Sequence, residues 1–123
     1  MKRNDDFIRG LLFDFEGSDN WRFQMEGTSG EPSEEEWRTR YHTLLMMDEG
    51  LLTLVGNTSF RLTSAGHNYL EAVRDEGIWT KTKEAVAATG GSASFEIIKS
   101  VAMALIETKL EKHTGLKLSS FVY

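Results

Sequence analysis

The stretch Gly50-Leu51-Leu52-Thr53-Leu54-Val55-Gly56-Asn57-Thr58-Ser59-Phe60-Arg61-Leu62-Thr63-Ser64-Ala65-Gly66-His67 constrains this chain most. It reads as a helix end, two short strands around a tight turn, and the start of a new helix. Gly50 suits the left-handed stop of a helix. Gly56-Asn57 suits a tight turn between strands Leu51 to Val55 and Thr58 to Leu62. Thr63 is placed to cap the new helix. A helix from Trp37 to Met47 leads into this stretch, and that order is the pattern of a winged helix-turn-helix. The expected class is therefore mainly α with a small β-hairpin (α+β): a winged helix-turn-helix followed by two C-terminal helices.

The flanks fill in around it. Asn4 or Asp5 can cap a first helix whose apolar face is Phe7, Ile8, Leu11, Leu12 and Phe15. Gly17 and Ser18-Asp19-Asn20 end it, and alternation over Trp21 to Met25 predicts a short strand. Gly27 to Pro32 reads as a flexible turn. Ser33 and Glu36 form a capping box for the next helix. Trp37, Tyr41, Leu44 and Leu45 fall on one arc of that helix, which is expected to face the core. Thr39, His42 and Thr43 then lie on the far side, with Arg38 and Met46 towards its edges. Beyond Thr63 a helix is expected through Tyr69, Leu70 and Val73 to Trp79, with a kink at Gly77 and a continuation towards Ala88. Gly90-Gly91-Ser92 breaks the chain, and Ser94 caps a last helix reaching at least Leu110. Phe95, Ile97, Ile98, Val101, Ala102, Ala104, Leu105 and Ile106 cover more than half of its circumference. Such a helix is either central or buries a second face in a partner. The chain is expected to be one domain: a winged-helix part over 1–63, a helical extension over 64–112 and a tail over 113–123.

Charge bears on function. The net charge is -5, and residues 1–50 carry 6 Lys/Arg against 12 Asp/Glu, whereas residues 51–123 carry 8 against 7. Nucleic-acid affinity comes mostly from neutralising phosphates, so the acidic half counts against a strong nonspecific DNA binder. There is no cysteine, which excludes disulfides and thiolate metal sites. No apolar run approaches a membrane span and no signal-peptide pattern appears, so a cytoplasmic protein is expected. His42, His67 and His113 lack a metal-ligand spacing, and each reads as a surface or cap-adjacent residue. No combination of acid, base and nucleophile is visible, so neither an enzyme nor a cofactor is expected.

Short pieces in a fixed order carry a resemblance. They are Met1-Lys2-Arg3, Tyr41-His42 followed by Gly50-Leu51-Leu52, Arg61-Leu62-Thr63-x-x-Gly66-His67-x-x-Leu70, Arg74-Asp75, Trp79-x-Lys81-Thr82-Lys83, and Gly90-Gly91-Ser92-x-Ser94-Phe95-Glu96. Together they resemble domain of unknown function 2513, a family frequent in phages and prophages. Ser64 stands where that pattern leads one to look for a tryptophan. The resemblance implies a phage or prophage origin and a winged-helix-like N-terminal portion, and it brings no catalytic residues. The segment Leu62-Thr63-x-x-Gly66-x-x-x-Leu70 is also similar to the wing-to-helix junction of MarR-type regulators.

The chain admits two functional readings. In the first, a small regulator binds double-stranded DNA through Arg38, Thr39, Arg40, His42 and Thr43 on the recognition helix and Arg61 by the wing. It pairs as a homodimer through Ile97, Val101, Ala104 and Leu105 of the last helix. In the second, a phage accessory protein inhibits a host protein through an acidic surface formed by Asp5, Asp6, Glu34, Glu35 and Glu36. Neither reading involves a membrane or a metal.

Overall fold

The computed structural model describes residues 1–25, 30–91 and 93–115. The expected turn at Gly27 to Pro32, the break at Ser92 and the tail therefore fall partly or wholly outside the described residues. The chain divides into two compact units, Met1–Leu70 and Glu71–Tyr123.

In the first unit, α1 (Asp5–Gly17) starts where Asn4 Oδ1 accepts the Phe7 N–H at 3.0 Å. Its inner face buries Ile8 and Leu12 completely. β1 (Arg22–Gln24) forms where the alternating stretch predicts a strand. α2 (Glu34–Asp48) opens on the expected capping box, with Ser33 Oγ accepting the Glu36 N–H at 3.1 Å. It stops at Gly50, whose φ of 76° is the left-handed conformation that a residue without Cβ adopts cheaply. β2 (Leu52–Val55) and β3 (Ser59–Leu62) form the hairpin around Gly56, and α3 (Ser64–Val73) comes next. The helix–hairpin–helix order is as read from the sequence, and the chain is mainly helical with a small antiparallel sheet.

That sheet has three strands in the order β1-β3-β2. β1 joins the hairpin by pairing Arg22, Phe23 and Gln24 with Arg61, Phe60 and Ser59. One face is aromatic: Phe15 of α1 lies 4.8 Å from Phe23 and 5.3 Å from Phe60, ring centre to ring centre. This cluster, in which Phe15 and Phe23 are half-buried, seats α1 on the sheet beside a buried core that includes Ile8, Leu12, Met46, Leu52, Phe60, Tyr69 and Leu70. Burying such side chains stabilises by roughly 1.5–3 kcal/mol each.

The expected single helix from Thr63 to Trp79 is two helices, the second of them in the second unit. α3 ends at Val73 and α4 (Glu76–Ala88) restarts with Asp75 as its N-cap, whose carboxylate accepts the Ile78 N–H at 2.9 Å. The break therefore precedes Gly77, because an aspartate there satisfies a free amide that a continuous helix would have paired internally. α4 packs along α5 (Phe95–Thr114), which Ser94 caps as predicted and Gly115 closes at φ 72°. Buried positions are Ile78, Trp79 and Thr82 on α4 and Phe95, Ile98 and Ala102 on α5. No helix among the described residues is long and apolar enough to cross a membrane.

Candidate interaction surfaces

The inward face of α2 is the one expected to point outward. His42 and Thr43 are 1% and 3% exposed, and Met46 is fully buried, whereas Trp37 and Leu44 stand 49% and 43% exposed. His42 and Thr43 are therefore not available to read base edges. The reason is local satisfaction of polar groups. His42 Nδ1 lies 2.8 Å from the Arg38 carbonyl, and its Nε2 accepts the Asn4 N–H at 2.9 Å. Thr43 Oγ1 donates to the Thr39 carbonyl at 2.8 Å. Polar side chains bonded in this way bury at little cost. Such a rotation turns Trp37, Leu44 and Asp48 outward along one line, flanked by Arg40 and half-buried Tyr41.

The other nucleic-acid candidates do not converge. The Arg38 guanidinium sits 5.8 Å from the centre of the Phe7 ring on α1. Half-buried Thr39 and exposed Arg40 line a cleft of about 230 Å³ with Phe15, Phe23, Gln24 and Phe60. Arg61 belongs to the central strand, away from the turn at Gly56, and pairs in register with Arg22 on one side and Thr53 on the other.

The acidic candidates form two groups. Asp5 is held by Arg3 at 2.9 Å, and Asp6 stands beside it in the first turn of α1. Glu34, Glu35 and Glu36 are exposed in the first turn of α2, where Glu36 also completes the capping box. Asn4 meets α2 at His42, about 12 Å along the axis from Glu34 at the usual helical rise. Only the α2 group flanks Trp37.

In the second unit, Ile97 is 54% exposed, Ala104 is exposed, and Val101 and Leu105 are half-buried. Met103 and Leu110 are exposed on a different side of α5 and were not anticipated. Trp79 is buried, as core packing predicts, with Lys83 Nζ 5.6 Å from its ring. Lys81, Lys109 and Lys112 border a cleft of about 310 Å³ floored by Ile78 and Leu105, with Asp75 at its edge. The Ile78 N–H bond, helped by Lys109 at 3.7 Å, holds the Asp75 carboxyl below the usual carboxylate range. In the first unit, burial pushes the Tyr69 phenol well above its ordinary value.

Sequence reasoning missed Trp21 and Arg22. Trp21 is 65% exposed, and the Arg22 guanidinium lies 5.9 Å from its ring centre. Only the pairing of β1 with β3 brings them beside Arg61, and no local signal reports that pairing.

Comparison with known proteins places these surfaces in a family. A protein of Haemophilus influenzae described as uncharacterized is 29% identical over 120 residues, covering 89% of this chain and 99% of its own. No solved structure matches the chain. The family model described as "Hypothetical protein (DUF2513)" matches residues 2–92, which takes in the first unit from its second residue onward and the helix α4. The chain belongs to the DUF2513 family.

Proposed function

We propose that this chain is a non-enzymatic accessory protein, of the phage type that the family resemblance implies, which docks another protein through the outward face of α2. A winged-helix-like scaffold presents that face. The observation that carries the reading is the pair Trp37 and Leu44, two turns apart on one line of the helix and each more than two-fifths exposed. A tryptophan left in water on a helix face is the residue type that dominates binding hot spots. Glu34 lies one turn before it on the same face, Glu35 follows in the first turn, and Asp48 lies one turn beyond Leu44. The complementary partner surface is an apolar pocket with a basic rim. The same three acidic positions disfavour a phosphate backbone against α2.

The test is affinity capture from host lysate with the wild-type chain beside Trp37→Ala/Leu44→Ala and Glu34→Gln/Glu35→Gln variants, each checked for an intact fold. The reading requires a partner retained by the wild type, lost by the apolar variant and released at lower salt by the glutamine variant. A partner retained equally by all three overturns it. So does tight binding of duplex DNA at low salt that Arg38→Ala/Arg40→Ala removes, which would favour the DNA-regulator reading.

A further inference from the structure

On the outer face of the sheet, Arg22 of β1 and Arg61 of β3 are directly opposite each other. Both are exposed. Directly paired residues of an antiparallel sheet have Cα atoms about 4.5–5.5 Å apart, so the two guanidinium groups reach a common point above the strands. Like charges in that relationship destabilise a sheet, where a threonine or a carboxylate at either position would stabilise it. Nothing within the described residues offsets the repulsion. Neither arginine has a carboxylate partner there, and the one bond of Arg61 is a long 3.3 Å contact from Nη1 to the adjacent Leu62 carbonyl. Beside them Trp21 leaves an indole largely in water, with Arg22 at its ring.

We propose that Arg22, Arg61 and Trp21 form a binding site for single-stranded nucleic acid, independent of the α2 surface. The two guanidinium groups chelate one phosphate between the strands, which turns the repulsion into complementarity. The indole accepts the face of an adjoining base. An unpaired strand fits better than a duplex, because only an unstacked base offers its face to an exposed aromatic ring. An acidic peptide would satisfy the arginines and leave the indole without a partner. Two charges directed at one phosphate make a weak site with a shallow but measurable salt dependence.

The experiment is a titration of the full chain into a fluorescein-labelled oligothymidylate at low salt, followed by anisotropy. Matched duplex DNA and poly-glutamate serve as competitors, and thermal unfolding is measured on each variant. Arg22→Thr and Arg61→Thr should each weaken binding, by roughly ten-fold at low salt, and flatten its salt dependence. The same two variants should unfold at a higher temperature than the wild type, since each relieves the cross-strand repulsion. That combination separates a lost site from a lost fold. Trp21→Ala should weaken binding by roughly five- to hundred-fold. Absence of binding by the wild type at low salt overturns the proposal. Equal competition by poly-glutamate or duplex, or undiminished binding by Trp21→Ala, overturns it as well.

Discussion

The backbone N–H of Asn4 donates to Nε2 of His42 at 2.9 Å, tying the start of α1 to the middle of α2 across 38 positions of sequence. With Nδ1 turned to the Arg38 carbonyl, this arrangement uses both ring nitrogens of a neutral imidazole. The Phe7 ring packs edge-on at 5.0 Å. His42→Ala removes the acceptor and opens a void, and is expected to destabilise the protein by about 2–4 kcal/mol. His42→Phe keeps the ring volume and strands the Asn4 N–H, at a smaller loss of about 1–3 kcal/mol. Urea unfolding of the two variants measures both values. A change below about 0.5 kcal/mol for His42→Ala, the range of an ordinary surface substitution, would contradict the structural role given to this bond.

The same bond explains how far the sequence could be read. Elements whose limits rest on local chemistry fall where their residues predict: the Asn4 cap, the Ser33–Glu36 box, the stop at Gly50 and the Ser94 cap. The facing of α2 was not legible, because apolar residues occur on both of its sides. Partners distant in sequence decide which polar residues can bury. Asn4 selects His42, and a pattern confined to α2 contains no trace of that choice. The third strand is a similar case. The local alternation over Trp21 to Met25 indicates a strand, whereas its pairing with β3 joins Arg22 to Arg61 across the whole of α2 and β2. The break between α3 and α4 was legible in principle, since Asp75 precedes Glu76 as a cap precedes a first turn. The apolar spacing from Tyr69 to Trp79 masked it.

Thr63 and Gly66 lock the hairpin to α3. Thr63 Oγ1 donates to the Gly50 carbonyl at 2.6 Å, with the Leu51 carbonyl also within 3.0 Å, and accepts the Gly66 N–H at 3.0 Å. A Cβ at Gly66 would collide with the Leu51 backbone carbonyl and the Leu62 side chain, and backbone cannot swing aside. Gly66→Ala is therefore expected to cost about 2–3 kcal/mol although alanine is the better helix former. Thr63→Val should lose about 1–2 kcal/mol through the cap and the carbonyl bond. Thermal unfolding of both variants checks the order. Stabilisation by Gly66→Ala would show that the helix approaches the hairpin less closely.

Trp37 and Leu44 distinguish an interaction surface from a structural one. Each leaves more than two-fifths of its surface in water, so Trp37→Ala and Leu44→Ala should shift unfolding stability by no more than about 0.5–1 kcal/mol. His42→Ala, from the opposite side of the same helix, should lose several times that amount. Chemical denaturation of the three variants side by side gives the comparison. A large loss for Trp37→Ala would mean that its indole packs against the fold rather than waiting for a partner.

Asp75 makes the second unit sensitive to acid. Its carboxylate accepts the Ile78 N–H as the cap of α4 and faces Lys109, so the folded protein holds its pKa below the ordinary 3.8. A folded-state value below the unfolded one means that the charged carboxylate favours folding. The contribution is fully present above the unfolded pKa and disappears as pH falls through the folded one. Asp75→Asn keeps a capping oxygen and removes the charge, so its effect isolates the charged interaction. The stability difference between wild type and Asp75→Asn should be constant from neutral pH down to the unfolded value of 3.8, then shrink below it. Urea unfolding at successive pH values tracks that difference. If it instead vanished near neutral pH, the charge on Asp75 would not be what strengthens the cap. If it persisted undiminished below the folded value, the amide would be the poorer cap for reasons of geometry alone.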